Sequence, residues 1–225
     1  MKRITVLLAE DHTIVREGFR KMLELEDDLE VVGEAQDGRQ AVAMVKKLRP
    51  AVVLMDIAMP LLNGLEATRQ VLKALPATKV LILSAHGDDA YVKNATESGA
   101  AGFLLKQTSA HVVCEAIREV QKGKTFFSPS ISRQLDRLNP KSPDRTGRLN
   151  KKAARLTSRE MEVLQLIAEG KANKETAAEL GISIKTVEKH REKAMSKLNI
   201  HDTAGLTRYA ISAGIIESSV QLTIV

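Results

Sequence analysis

Four short hydrophobic runs in this chain each stop at a polar residue that could serve phosphoryl chemistry. ITVLLA runs into Glu10-Asp11, AVVLM into Asp56, VLIL into Ser84 and GFLL into Lys106. Gathered in one crevice, three carboxylates, a hydroxyl and an ammonium group make a metal-assisted phosphoryl-acceptor site. Asp56 is the expected nucleophile, because a carboxylate accepts a phosphoryl group as a mixed anhydride. The charge spread over the transferring oxygens must be neutralised. Mg²⁺ is a hard cation that takes carboxylate oxygens and keeps some waters. Glu10, Asp11 and Asp56 would hold it, and it would relieve their mutual repulsion. Lys106 adds a further positive charge, and Ser84 offers a hydrogen bond to the arriving phosphoryl group.

Taken singly, each residue has a plainer use. Glu10-Asp11 could cap a helix starting near Thr13. Asp56 could be a turn residue, Ser84 a cap or turn, and Lys106 a solvated surface lysine. Their joint order, with all of them at the ends of apolar runs, favours the site.

The elements that must position them follow from the pattern. Short apolar runs rich in Leu or β-branched residues read as strands buried on both faces. Strands are expected at 4–9, 30–34, 51–56, 79–84 and 102–105, and amphipathic helices at 13–25, 38–48, 64–74, 88–98 and 109–122. Alternation of this kind means a parallel sheet with helices on both faces, and right-handed crossovers favour a doubly wound order. The expected class is α/β with a five-stranded parallel sheet. In such sheets the ligand crevice lies beyond the carboxyl ends of the strands, so the polar stops converge.

Charge divides the chain. Residues 1–128 carry 17 Lys and Arg against 17 Asp and Glu, whereas 129–225 carry 17 against 11, so the whole net charge of +6 lies in the second part. That part is expected to meet a polyanion. Tyr209 is its only aromatic residue, which disfavours stacking on single strands and favours duplex DNA. Cys114 is the only cysteine, which excludes an intrachain disulfide or a thiolate metal cluster. No apolar stretch nears the roughly 18 residues that span a bilayer, so no membrane partner is expected and the protein is expected to be cytoplasmic.

Residues 123–155 contain three prolines among polar and basic residues and read as a linker, with a helical turn or two near 129–138. Phe126-Phe127 is the exception, able to pack back on the first domain. Helices follow. Thr157-Ser-Arg-Glu160 is a capping box. Asn173 is expected to cap a helix at 174–180 that Gly181 closes, Ser183 to cap one at 184–198, and a last helix spans 203–213. A short helix, a glycine turn and a longer helix form a helix-turn-helix candidate. On the longer helix, Ile184, Val187, Ala194 and Leu198 form the packing face, with Lys185, Glu188, Lys189, Glu192, Lys193 and Ser196 opposite. Lys174 and Lys185 are expected to touch phosphates and Glu188 and Lys189 base edges, with Thr186 and Lys193 also expected among the DNA-binding residues. A helix merely laced with solvated charge pairs is the plainer reading.

Two resemblances sharpen this. LLAEDH, the segment Asp56-Ile-Ala-Met-Pro60-Leu-Leu-Asn-Gly64, Ile-Leu-Ser84-Ala85 and Gly-Phe103-Leu-Leu-Lys106 resemble a two-component response-regulator receiver. This implies that a sensor histidine kinase phosphorylates Asp56 and that Mg²⁺ sits on Asp11, Asp56 and the Ala58 carbonyl, with Glu10 acting partly through water. It also implies a switch of Ser84 and Phe103 beside Lys106, with His86 at a position that tunes the phosphoryl lifetime. Gln107 departs from the proline common after that lysine. Residues 156–200, with Leu156-Thr157-x-Arg159-Glu160, Asn173-Lys174 and Thr186-Val187-x-x-His190, resemble a LuxR-type DNA-binding domain.

The whole chain thus resembles the NarL/FixJ subfamily. The implied organisation is a flavodoxin-like receiver at 1–124, a linker at 125–152 and a four-helix helix-turn-helix domain at 153–217. The implied function is a transcription regulator, not an enzyme beyond its own phosphoryl acceptance and slow autodephosphorylation, in which phosphorylation promotes homodimerisation and promoter binding. Helix 184–198 would enter the major groove, and helix 203–213 would dimerise. The alternative is a phosphorylation-independent DNA-binding regulator with a vestigial receiver. An aspartate-nucleophile phosphatase would carry an Asp-x-Asp pair after its first strand, but position 58 is Ala. A flavodoxin-like electron carrier would need a phosphate loop where Glu10-Asp11 would repel phosphate.

Overall fold

The computed structural model describes residues 3–85, 87, 89–128, 131–133, 135 and 156–216. His86 and residues 136–152 of the expected linker lie outside the described residues. The chain separates into two compact units, Met1–Leu149 and Asn150–Val225.

The first unit alternates β1 (Ile4–Ala9), α1 (Thr13–Glu24), β2 (Leu29–Ala35), α2 (Gly38–Leu48), β3 (Val52–Asp56), α3 (Gly64–Ala74), β4 (Lys79–Ser84), α4 (Asp89–Glu97), β5 (Gly102–Leu105), α5 (Ala110–Gln121) and β6 (Phe126–Phe127). All strand pairs are parallel, in the order β2-β1-β3-β4-β5-β6. Chain direction across the sheet reverses between β1 and β3, which opens the crevice beyond their carboxyl ends. The β1–β2 register shifts between Val6 and Leu7.

Alternate residues of each strand feed opposite layers. Leu7, Val53, Met55, Ile82 and Phe103 pack with Val45 of α2 and Val71 of α3. Val6, Leu8, Leu54, Leu81 and Leu104 pack with Leu23 of α1 and Ile117 of α5. All five residues of β3 are buried. Each buried apolar side chain contributes roughly 1.5–3 kcal/mol, so the strand ends are held on a rigid base.

The sheet has six strands where the sequence suggests five. β5 is only four residues long and would leave an open edge. Phe126 pairs with Gly102 and Phe127 with Phe103, and the two rings pack against opposite layers of the core. Ile131 is buried in the same core as Phe127. The aromatic pair thus extends the sheet of the first unit past residue 125, where the sequence reading begins the linker.

Gly64 sits where α3 meets the loop after β3. A Cβ there would lie 1.8 Å from the Asp56 carbonyl oxygen, so only glycine permits this approach. Asn63 caps α3 by accepting from the Glu66 N–H at 3.0 Å. Within this loop Leu61 adopts φ 65°, a left-handed conformation that is costly for a residue with a γ-branched side chain.

The second unit comprises α6 (Ser158–Ala168), α7 (Asn173–Leu180), α8 (Ile184–Leu198) and α9 (Thr203–Ser212). Val163, Leu164, Leu166, Ala177, Leu180, Val187, Ala194, Leu206 and Ala210 are its main buried side chains. The Thr157/Glu160 capping box forms, and Gly181 closes α7 with φ 63°. Ser183 caps α8 by accepting from the Thr186 N–H at 3.1 Å.

Two details differ from expectation. Asn173 is the first residue of α7, not its cap. Ala172 takes the cap position, where its N–H donates to Glu175 at 2.8 Å, and the Asn173 side chain instead accepts from Arg191 at 3.3 Å. Ile184 is 45% exposed, because packing of α8 begins only at Val187. No described helix is long and apolar enough to cross a membrane.

Candidate functional site

The strand ends bring the four polar stops into one pocket. Glu10, Asp56 and Ser84 are all at most 3% exposed. Lys106 follows β5 and reaches across with Nζ 2.9 Å from Glu10 Oε2 and 3.1 Å from Asp56 Oδ1. Its backbone N–H donates to the Ser84 carbonyl at 2.8 Å, which ties the ends of β4 and β5 together. Asp56 Oδ1 also accepts from the Ile57 N–H at 2.8 Å. Asp56 Oδ2 is buried with no hydrogen-bond partner. One carboxylate oxygen is thus anchored and the other is left available.

Burial, and then the neighbouring Glu10, push the Asp56 carboxyl from 3.8 up to about 7, against the pull of Lys106. Burial disfavours the charged Lys106, but Asp56 and Glu10 outweigh it and hold the ammonium above its usual range. Crowded carboxylates answered by a single lysine leave a site short of positive charge. Glu10, Asp11, His12 and Asp56 each offer a ligand atom, all within 4.8 Å of one another. The three carboxylates are hard oxygen donors that suit Mg²⁺, and the unpartnered Oδ2 is consistent with that fit.

Ala58 lies half-buried in the loop two residues past Asp56. Phe103 is fully buried within the core below Lys106. The N-cap of α1 is His12, whose side chain makes no cap bond, and Glu10 Oε1 accepts from the His12 N–H at 3.2 Å. His12 sets Nδ1 3.0 Å from both Glu10 and Asp11. Burial alone would lower its pKa, but Asp11 and Glu10 raise it.

Sequence reasoning missed Arg16. It is 6% exposed and donates from Nη1 to the Glu10 carbonyl at 2.7 Å and from Nε to Glu34 at 3.1 Å. Its spacing with Phe19 and Leu23, at i+3 and i+7, places it on the inward face of α1; that spacing was the available signal.

In the second unit the charged positions are displayed rather than buried. Lys174 on α7 and Lys185, Glu188, Lys189, Glu192 and Lys193 on α8 are all exposed. Lys185, Lys189 and Lys193 recur every four residues and form one stripe. Thr186 is half-buried, its hydroxyl engaged with Ser183 at 2.8 Å. Arg191, also missed, bridges α7 and α9 by donating to Asn173 and, at 2.6 Å, to Thr203. Glu160 accepts from the Thr157 N–H at 2.8 Å and from Lys197 Nζ at 2.6 Å, which fastens the end of α8 to the start of α6.

Comparison with known proteins accords with this geometry. Residues 6–118 match the response regulator receiver domain, and residues 154–210 match the bacterial regulatory proteins of the luxR family. The transcriptional regulatory protein DegU of Brevibacillus brevis is 37% identical over 89% of both chains. The response regulator protein VraR of Staphylococcus aureus is 37% identical over 95% of this chain and 99% of its own. Among solved structures, RcsB of Salmonella typhimurium shares 30% identity with a TM-score of 0.56, covering 94% of this chain and all of the other. A structure of two RcsB dimers bound to two parallel DNAs matches with a TM-score of 0.58 and 30% identity, over 94% and 99% of the chains.

Proposed function

We propose, from the premise that the chain belongs to the NarL/FixJ-type DNA-binding response regulators, that Asp56 is its phosphoryl acceptor and that phosphorylation of Asp56 promotes dimerisation and promoter binding. The observation that carries this reading is the asymmetry of Asp56: Oδ1 is tied to Lys106 and the Ile57 N–H, while Oδ2 is buried without a partner.

In this reading Oδ2 attacks the phosphorus of a phosphohistidine on a sensor kinase. A P–O bond forms to Asp56 as the P–N bond breaks, and the imidazole departs with its electron pair. Glu10, Asp11, Asp56 and the Ala58 carbonyl would hold Mg²⁺, which neutralises charge on the transferring oxygens. Lys106 donates to the transferred group, and Ser84 supplies a hydroxyl to it. Phe103, under the same strand end, repacks with Ser84. Slow attack by water returns Asp56 to the carboxylate and releases inorganic phosphate.

On the output side, Lys174, Lys185 and Lys193 meet phosphates of duplex DNA, while Glu188 and Lys189 meet base edges and Thr186 steadies the start of the helix. α9 is the dimerisation helix. The working division is a receiver closed by β6, a linker beyond it and a helix-turn-helix domain from about residue 153, in a cytoplasmic protein. A tenfold gain in dimer affinity corresponds to about 1.4 kcal/mol of coupling, well within what such a site can supply.

The test is to incubate the protein with Mg²⁺ and acetyl phosphate and to weigh it intact. One added phosphoryl group, absent in Asp56→Asn, is expected, together with tighter dimerisation and DNA binding. A folded protein that takes up no phosphoryl group, or an Asp56→Asn variant that takes it up unchanged, overturns the assignment.

A further inference from the structure

We propose that Arg16 is a positioning residue for the cation site, holding the Glu10-Asp11 backbone so that both carboxylates face Asp56. The inference rests on the reading of Glu10 and Asp11 as divalent-cation holders.

Arg16 comes from the inward face of α1, where a charge is tolerated only when paired. Nη1 donates to the Glu10 carbonyl at 2.7 Å and lies 3.4 Å from the Asp11 carbonyl. Nε donates to Glu34 Oε2 on β2 at 3.1 Å. Glu34 is itself fixed, since its Oε1 accepts from Arg20 at 2.6 Å and Arg20 is steadied by Glu24 at 2.8 Å. From the other side, the Glu10 N–H donates to the Ala35 carbonyl at 3.0 Å.

The peptide planes after Glu10 and Asp11 are therefore gripped from α1, while the plane before Glu10 is gripped from β2. Each plane is rigid, so fixing successive planes fixes the Cα–Cβ directions between them. The carbonyls turn toward Arg16, and the carboxylates turn toward Lys106 and Asp56. Without the guanidinium, the buried Glu10 carbonyl and the part-buried Asp11 carbonyl would lose a donor, and the loop could swing its like-charged side chains apart. Arg16 touches neither the cation nor the phosphoryl group; it acts through the loop.

The test is a Mg²⁺ titration of the full chain, followed by the backbone amide NMR shifts of Asp11 and Ile57, alongside thermal melts in EDTA. Loss of a supporting partner of a metal ligand costs about 10–100-fold in affinity. Arg16→Lys, which keeps the charge but cannot reach both carbonyls and Glu34, is expected to weaken Mg²⁺ binding about tenfold. Saturating Mg²⁺ should restore its phosphoryl uptake from acetyl phosphate. Glu34→Gln, which keeps the carbonyl contacts of Arg16 and loosens its Nε anchor together with the Arg20 pair, should weaken binding by about threefold, below that range.

A folded Arg16→Lys protein that melts lower yet binds Mg²⁺ like the wild type overturns the proposal, because its role would then be stability alone. If Arg16→Lys does not fold, Glu34→Gln decides: an unchanged Mg²⁺ affinity overturns the proposal and a weakened one supports it. Failure of the wild type to bind Mg²⁺ overturns the cation reading itself, and this inference with it.

Discussion

The pocket at the strand ends and the outer face of α8 use the same side chains, carboxylates and lysines, in opposite ways. In the pocket, Lys106 meets Glu10 and Asp56 from positions far apart in the chain, and both acids are almost wholly removed from water. On α8, Lys185, Glu188, Lys189, Glu192 and Lys193 follow one another within a single helix and stay exposed. Charges out of water are strongly coupled, so the fate of each depends on the others. Charges in water are screened and act nearly independently. The difference teaches where each proposed function is stored: the proposed acceptor site needs the whole sheet, whereas the proposed DNA face needs only a helix in the correct phase.

The largest expected effect tests the crowding. Asp56→Asn removes a buried charge beside Glu10 while leaving Lys106 to pair with Glu10. In metal-free buffer at neutral pH it should stabilise the first unit by about 1–3 kcal/mol in urea melts, because a carboxyl raised from 3.8 to about 7 is costly to ionise in the fold. A net loss would mean that the Lys106–Asp56 pair outweighs the repulsion, and the contrast with α8 would narrow.

Next comes Glu160→Gln, where a buried carboxylate of the second unit pairs with a lysine as those of the first do. Losing the charge that pairs with Lys197, while Gln keeps an acceptor for the Thr157 N–H, should cost about 0.5–1.5 kcal/mol. Burial alone would raise this carboxyl, but Lys197 and the Thr157 N–H outweigh it and hold it below its ordinary 4.5. A depressed folded pKa contributes stability that is fully present above 4.5 and is lost as pH falls through the folded value. Acid titration of the second unit should thus be flatter in Glu160→Gln than in the wild type. Equal acid limbs would remove Glu160 from the account.

A smaller effect is expected on the exposed face. Lys185→Ala should reduce the salt dependence of DNA binding by about one unit of slope and weaken all sequences alike. A sequence-selective loss would instead make Lys185 a base reader. Smallest of all, Leu61→Asn should stabilise the first unit by roughly 0.5–1 kcal/mol, since Asn tolerates the left-handed backbone better. A destabilised variant would show that the Leu61 side chain contributes more than its backbone strain costs.

Much of the pocket was legible because apolar runs end abruptly. Glu10, Asp56, Ser84 and Lys106 each follow a run that could only be a buried strand, and sheet topology does the gathering. Arg16 was illegible by the same logic. It looks like one more surface charge of an amphipathic helix, and its partners are backbone carbonyls, which no residue type announces. The pair Phe126-Phe127 was obscured by its polar, proline-rich surroundings, although two adjacent aromatics were a signal of packing. On α7, Asn173 looked like a cap because Asn favours that position, but Glu175 serves the same N–H from within the helix. Ile184 fits the helical period of the packing face, but period reports only angle, not where along the axis a neighbour is present.

The two borders of the sheet carry a further consequence, concerning association between copies. An unpaired strand edge is a template for another chain. On one border β6 offers only two residues, too few to seed a ladder. On the other, β2 is offset against β1 between Val6 and Leu7, exposes Glu30 and holds Glu34 half-exposed. An irregular, acidic border and a truncated one both resist continuation, so the sheet stops at six strands and the unit is protected from edge-to-edge aggregation.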